Sequence, residues 1–402
     1  MPELPESLQT LARATEIAST PPAFGDLVRR SRQRRRNQVL ATAAATAVLV
    51  GGVAAMTAFG PQSAPAPSHN LVHRPTPTPK ADTPAQKIRS LTAQQMVHQG
   101  QLFSFASLGD GTSLRTWQKC TRNLMVCASA WQLVTAKGPS VEQLLSESLA
   151  YVYAAGDAYI VRSPDEAGIV VHTDGSVTAI QPVAEARPIG AGDVLVIGKG
   201  LLRVVDPDAG VTWPLALPPA VTDVADGQND ETKIDADGRI WLSTFSSSTM
   251  PGLTWSVDGG TTWSRHEFGR GRHTGDLVAS GQHVATFTNS DGEGGLSFDQ
   301  WDVSSDAGKS WTEVSPSAVP FAEIASMAAT SGGTLYVANV AGKVWRSTDS
   351  SWTHFVKVVT DAPVSQLVPA GDHVLGAATD MRGPVLFVRL ADDGRATYVD
   401  AR

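Results

Sequence analysis

The sequence predicts an all-β fold, a seven-bladed β-propeller of four-stranded sheets set radially about an axis. Two repeats predict it. A turn glycine followed by alternating apolar residues recurs at Gly100, Gly156, Gly192, Gly238, Gly281, Gly333 and Gly371. These glycines lie 56, 36, 46, 43, 52 and 38 residues apart, a mean of about 45, which is the length of one blade. A second string of Ser, Asp, Gly and Trp follows 14 to 23 residues behind the glycines. The composition agrees: 36 Gly and 25 Pro in 402 residues argue against a helical bundle and for many turns.

Each glycine supplies a tight turn, and the residues after it have strand period, as in Gly238-Arg-Ile-Trp-Leu and Gly333-Thr-Leu-Tyr-Val-Ala. The blade therefore reads as strand A, turn glycine, strand B, a variable loop, strand C, the Ser/Asp string, strand D. Seven copies fill residues 91–402. In the first copy strand A falls on the polar segment Thr92 to His98. If that segment does not pair, a six-bladed ring is the alternative.

The second string is clearest in Ser256-Val-Asp258-Gly-Gly260-Thr-Thr-Trp263 and Ser304-Ser-Asp306-Ala-Gly308-Lys-Ser-Trp311. Asp206-Pro-Asp208-Ala-Gly210-Val-Thr-Trp213 matches except at its first position, and Ser347-Thr-Asp349-Ser-Ser-Trp352 is a weaker copy. The His172-Thr-Asp174-Gly175 and Asp392-Asp393-Gly394 turns are weaker still. The pattern S-x-D-x-G-x-[TS]-W resembles the Asp-box, or BNR repeat, of sialidases and related propellers. That resemblance implies a structural motif: the Asp carboxylates accept backbone N–H groups in a hairpin turn. Trp263 and Trp311 are expected to pack between blades.

Residues 39–59 carry no charge and are long enough, at ~1.5 Å per residue, to cross a bilayer. Residues 1–38 carry seven Arg and four acids, with a run over Arg29–Arg36; no basic residue then occurs before Arg74. The positive-inside rule places the N-terminus in the cytoplasm and the rest outside. A cleaved signal peptide is the competing reading. Seven prolines in 61–84 read as an extended stalk. The expected division is a cytoplasmic basic tail (1–38), a transmembrane helix (39–59), a Pro-rich extracytoplasmic linker (60–90) and the propeller (91–402). Residues 61–402 carry 25 basic and 35 acidic side chains, which makes nucleic acid a poor partner. The Ala-rich, Arg-biased composition is associated with high-GC bacteria.

Cys120 and Cys127 are the only cysteines. They occupy the hairpin where the first blade lacks a box, and two cysteines facing each other across strands suit a disulfide. Free thiols or a metal pair are the alternatives. An oxidising compartment would preserve the bridge.

Propeller ligands usually bind the face made by the B–C loops and D–A connections. There the stretch Arg265-His266-Glu-Phe-Gly-Arg270-Gly-Arg272-His273 could clamp carboxylate, sulfate or phosphate; the alternative is a solvated basic loop. Arg162 and Arg382 are expected to approach the same face. The acidic, Gly-rich loops Asn289–Gly295 and Asp226–Glu231 could offer oxygens to Ca²⁺, without EF-hand spacing; flexible turns are the alternative. Asp235-Ala-Asp237-Gly238 has the look of a metal motif, but register makes it an A–B turn. Val141 to Tyr151 reads as a short helix on a D–A connection.

The sialidase resemblance implies three Arg, a Tyr–Glu pair and an Asp acid/base. The early [FY]-R-I-P motif of that family is missing, and Tyr336 falls in a predicted strand B. The resemblance therefore covers the scaffold and stops short of the active site. Non-catalytic relatives, similar to the photosystem II assembly-factor family, use the disc as a binding platform. The expected function is a membrane-anchored extracytoplasmic module that binds or scaffolds a protein or glycan at the cell envelope, with no cofactor. A sialidase-like glycoside hydrolase or a lyase is the alternative. A sensor signalling to the Arg-rich tail is a third reading.

Overall fold

The computed structural model describes residues 83–402, apart from 122–125, 136–137, 146–149, 163–167, 191, 199–200, 218–231, 236, 245–251, 269–271, 293–294, 379–384 and 400–402. The predicted tail, membrane span and most of the linker lie outside the described residues. No described helix is long and apolar enough to cross a membrane.

Two short helices come first, α1 (Pro84–Arg89) and α2 (Ala93–Gln99). Blade 1 is β1 (Gln101–Ser107), β2 (Ser113–Cys120), β3 (Cys127–Thr135) and β4 (Gly138–Leu145). Blade 2 is β5 (Tyr151–Ala155), β6 (Ala158–Arg162), β7 (Ile169–His172) and β8 (Val177–Ala179). Blade 3 holds β9 (Gln181–Pro182), β10 (Val194–Gly198), β11 (Leu201–Asp206) and β12 (Val211–Pro214). Blade 4 is β13 (Thr232–Ile234), β14 (Ile240–Thr244), β15 (Gly252–Ser256) and β16 (Ser264–Glu267). Blade 5 is β17 (Arg272–Ser280), β18 (His283–Gly292), β19 (Gly295–Ser304) and β20 (Thr312–Val314). Blade 6 is β21 (Ile324–Ala329), β22 (Leu335–Asn339), β23 (Val344–Ser347) and β24 (Phe355–Val358). Blade 7 is β25 (Val364–Ala370), β26 (His373–Ala378), β27 (Leu386–Ala391) and β28 (Ala396–Val399).

Seven four-stranded sheets are present, which decides between seven blades and six. Six are simple antiparallel meanders in chain order. Each strand alternates its side chains between the two neighbouring blades, so every joint holds an apolar cluster. Trp131, Leu133, Tyr159 and Val161 fill the joint of blades 1 and 2. Trp301, Phe321, Val337 and Trp352 fill that of blades 5 and 6. Leu102, Phe105, Ala370 and Phe387 fill that of blades 7 and 1.

Three expectations of register are corrected. Thr92–His98 is helix and not strand A. Thr92 and Gln95 form a capping box that starts α2, and the Gln and Met that follow favour helix. Gly100 therefore ends a helix instead of joining two strands. It is glycine because a Cβ there would lie 2.6 Å from the Met96 carbonyl and 3.1 Å from that of Gln118. Blade 1 consequently begins at β1, one strand later than predicted, and Cys120–Cys127 closes the second–third hairpin and not the third–fourth. The segment from Val141 is not a helix: Val141, Gln143 and Leu145 pair with Leu133, Trp131 and Ser129 as β4, and Tyr151 opens β5. The ladder offered by β3 outweighs a weak local helical preference.

Blade 3 departs in another way. Residues 183–190, where strand A is expected, form no strand. The fourth strand is β9, which continues from β8 and pairs in parallel with β12. The other five turn glycines, Gly156, Gly238, Gly281, Gly333 and Gly371, join the first and second strands as expected.

Around the axis, neighbouring first strands are tied by polar side chains at bulges. The Ser104 hydroxyl accepts the Val152 N–H at 3.2 Å. A carboxylate oxygen of Asp276 accepts Met327 N–H at 3.1 Å, and the Ser326 hydroxyl accepts Leu367 N–H at 3.0 Å. Each donor N–H belongs to the inner edge of the next sheet, which has no further strand to pair with. All three residues stand at a register shift in β1, β17 or β21.

The Cys120 and Cys127 sulfurs are bonded, across a directly opposed pair of residues. The closed loop is short, so the chain-entropy gain is about 2–3 kcal/mol. Reduction is expected to lower the unfolding free energy by that amount in a urea titration; an unchanged midpoint would show that the hairpin holds without the bridge.

Candidate functional site

The Ser256, Ser304 and Ser347 strings are turns between the third and fourth strands of blades 4, 5 and 6, and the Asp206 string joins β11 to β12 in blade 3. The Ser256 hydroxyl accepts Gly260 N–H at 2.8 Å and donates to Asp258 Oδ1 at 2.8 Å. Asp258 Oδ1 accepts Thr262 N–H at 2.8 Å, and Oδ2 accepts the Thr262 hydroxyl at 2.6 Å. Ser304, Asp306, Gly308 and Ser310 repeat the same bonds within about 0.1 Å. The indoles of Trp263 and Trp311 donate to the carbonyls of Gly260 and Gly308. Gly308 has φ of +85°, and a Cβ there would lie 2.8 Å from the Trp255 ring, so only glycine fits. In the copy ending at Trp213, Asp206 and not Asp208 takes the turn N–H, from Ala209 at 2.9 Å. Gly210 has φ of +63° there, and Trp213 is buried. Asp349 accepts Ser351 N–H at 2.9 Å, and Trp352 swings into the core to donate to Gly333 O at 2.7 Å.

These hydrogen bonds set the acidity of the carboxyls. The Thr262 hydroxyl, then its N–H, holds Asp258 down at about 2. Ser310 does the same for Asp306, also about 2. A depressed folded-state value contributes stability that is present above the unfolded value near ~3.9 and is lost as pH falls through the folded one. Carboxyl-carbon NMR titration should therefore find both aspartates still half-ionised near pH 2; midpoints near 4 would show that the turns do not hold the anions.

Of the basic stretch, the side chains of Arg265 and His266 are described, and these two do not converge. Arg265 and His266 are neighbours in β16, paired with Thr254 and Leu253, so they point to opposite faces of blade 4. Arg265 lies 3.4 Å from Glu267. His266 stacks on Trp311, with centroids 4.8 Å apart, and meets Phe268 edge-on. It therefore serves the joint with blade 5. Arg272 opens β17; Arg270, Arg382 and the Asp226–Glu231 loop lie outside the described residues, as does Glu293 in the second acidic loop. Asp235 forms the A–B turn of blade 4, as register implied. Its carboxylate accepts Arg239 N–H, Arg239 Nε at 2.8 Å and the Trp241 indole at 3.0 Å. Among the described residues no group of three His, Cys, Asp or Glu could hold a metal.

Arg162 ends β6 at the predicted binding face, opposite Tyr151 at the start of β5. Burial, the largest influence, pulls its guanidinium below the ordinary value, against the opposing effect of Tyr153. Phe103, near the start of β1, meets Tyr151 edge-on with centroids 5.2 Å apart. Both rings are half-buried. Two aromatic rings and an arginine thus gather at the ends of β1, β5 and β6, beside the stapled β2–β3 hairpin. Sequence reading found Arg162 and the cysteines but missed Phe103 and Tyr151. The misplaced start of blade 1 hid Phe103 in a second strand, and the helical reading of 141–151 hid Tyr151.

No protein-family model matches the chain, and no curated protein matches it. Solved structures do resemble it. YCF48 from Cyanidioschyzon merolae is 12% identical, with a TM-score of 0.46, over 73% of this chain and 96% of that one. BamB from Moraxella catarrhalis is 14% identical, with a TM-score of 0.41, over 72% and 83%. A puromycin-hydrolysing peptidase from Mycobacterium tuberculosis is 13% identical, with a TM-score of 0.49, over 79% and 54%. At these identities the likeness is one of fold alone.

Proposed function

We propose that the chain is a membrane-anchored, extracytoplasmic propeller that binds or scaffolds a protein or glycan at the cell envelope. The observation that carries this reading is the Phe103–Tyr151–Arg162 group on the B–C/D–A face. Aromatic rings with an adjacent guanidinium suit the apolar faces of sugars, aromatic side chains and carboxylates. The oxidised cysteine pair suits an extracytoplasmic address. The uncharged 39–59 segment and the arginines before it support the anchor.

Two features speak against the hydrolase alternative. Asp258, Asp306 and Asp349 spend their oxygens in turns, and Tyr336 is buried in β22, its hydroxyl donating to Ala391 O. Burial also pushes Tyr336 up to about 12.

The test is a glycan array and chemical cross-linking on intact envelopes with the full chain, beside a fluorogenic sialoside assay. A glycan or cross-linked protein lost in Phe103→Ala, at an unchanged unfolding midpoint, is the expected outcome. Sialoside turnover, or a partner indifferent to Phe103, would overturn the reading.

A further inference from the structure

The ring closes without exchanging a strand. Blade 1 is built only from β1–β4 and blade 7 only from β25–β28. Among the described residues no strand of either blade pairs with the other, and side chains fill their joint. Phe105 meets Phe387 edge-on at 5.2 Å, and the Arg115 guanidinium lies 4.0 Å over the Phe387 ring. On the same face of blade 1 as Arg115, Trp117 pairs with Ala130. Outward of the Phe387 contact, that face is covered by α2.

Met96 of α2 is fully buried against Trp117 and Ala130, with Leu102 of blade 1 and Val385 of blade 7 packed around them. Leu102 and Val385 also belong to the apolar cluster of the joint itself. The helix thus fills the wedge between first and last blades. Gln99 Oε1 accepts Lys119 Nζ at 2.7 Å, and Gly100 brings the helix end against the Gln118 carbonyl. α1 and α2 span six and seven residues, too short to persist as helices off the propeller.

We infer that the α1–α2 segment is a strap that closes the ring by filling the blade 7–blade 1 wedge, and that its release loosens this joint and no other. A pull on the chain preceding Thr83 reaches the strap before it reaches any blade. Few side chains hold the strap, so it belongs to the part of the fold that opens first.

The test is amide hydrogen exchange on the full chain. In wild type under rising denaturant, α1, α2 and the joint strands β1, β2 and β27 are expected to open together, below the global transition. Met96→Lys removes the plug without altering a blade residue. It should speed exchange in β1, β2 and β27 at least tenfold, and leave β14, β15 and β18 unchanged. Helices that open only with the whole molecule, or joint strands indifferent to the substitution, would overturn the inference, as would equal acceleration in all seven sheets. A second readout needs no variant to fold. Stretched between its termini, wild type should lengthen by several nanometres before any blade yields, at most the ~6 nm that residues 83–100 span at ~3.5 Å each. The lack of that step would also overturn it.

Discussion

Replacing Trp301 with alanine should lower the unfolding free energy by about 3–5 kcal/mol. The side chain is wholly buried in the joint of blades 5 and 6. It meets Phe321 and Phe355 edge-on, with centroids 5.5 and 6.0 Å away, so truncation opens a cavity walled by rings. Its indole N–H donates to the Trp352 carbonyl at 2.8 Å. That carbonyl belongs to a residue with φ of +55°, a conformation that costs roughly 1 kcal/mol for a side-chain-bearing residue and persists only when its surroundings enforce it. Truncation removes both the filler and the bond that holds Trp352 in place. Urea titration measures the loss. Trp301→Phe should recover part of the volume and none of the hydrogen bond, and so fall between. A loss below about 1 kcal/mol for the alanine variant would mean that the joint collapses around the gap.

Asp235→Ala should cost as much, about 3–5 kcal/mol, for an electrostatic reason. The Asp235 and Arg239 side chains are only 2% and 8% exposed, and Arg239 also donates to Asp237 and to the Gly281 carbonyl of the next blade. Without Asp235 the guanidinium stays buried beside one exposed carboxylate, and the Trp241 indole loses its acceptor. Removing both charges leaves no buried guanidinium without its partner, and only the Trp241 indole still lacks its acceptor. Asp235→Ala with Arg239→Met is therefore expected to cost less than Asp235→Ala alone. A double variant that is the worse of the two would assign the pair a net stabilising role instead.

The ring was legible because its determinants are local and repeated. Five glycines mark first–second turns, and the Ser256 and Ser304 strings contain their own hydrogen-bond partners, so no distant residue is needed to form them. The failures lie where distant residues decide. Thr92–His98 carries helix caps that a repeat-based register overrides on paper, and 141–145 becomes strand only because β3 offers an edge. His266 looked like a ligand in a basic run; its stacking on Trp311, 45 positions away, depends on two blades meeting. Asp276 and Ser326 carry no motif, because their role is to satisfy the N–H of a neighbouring sheet. The Phe103–Tyr151 group is not legible in the sequence for the same reason: it joins two blades, and a repeat-based register puts Phe103 in a second strand and Tyr151 in a helix.

Seven sheets close into a ring with the last blade against the first. A Cβ built on Gly109 would lie 3.2 Å from the Gly371 Cα, and the reverse approach is also 3.2 Å. Gly109→Cys with Gly371→Cys tests this directly, since two cysteines bridge only when their α-carbons stand within about 7 Å. Mild oxidation of the purified full chain, read by intact mass and peptide mapping, should yield an intramolecular 109–371 bridge beside the native one. Thiols that stay free, or that link only separate molecules, would contradict a closed seven-bladed ring.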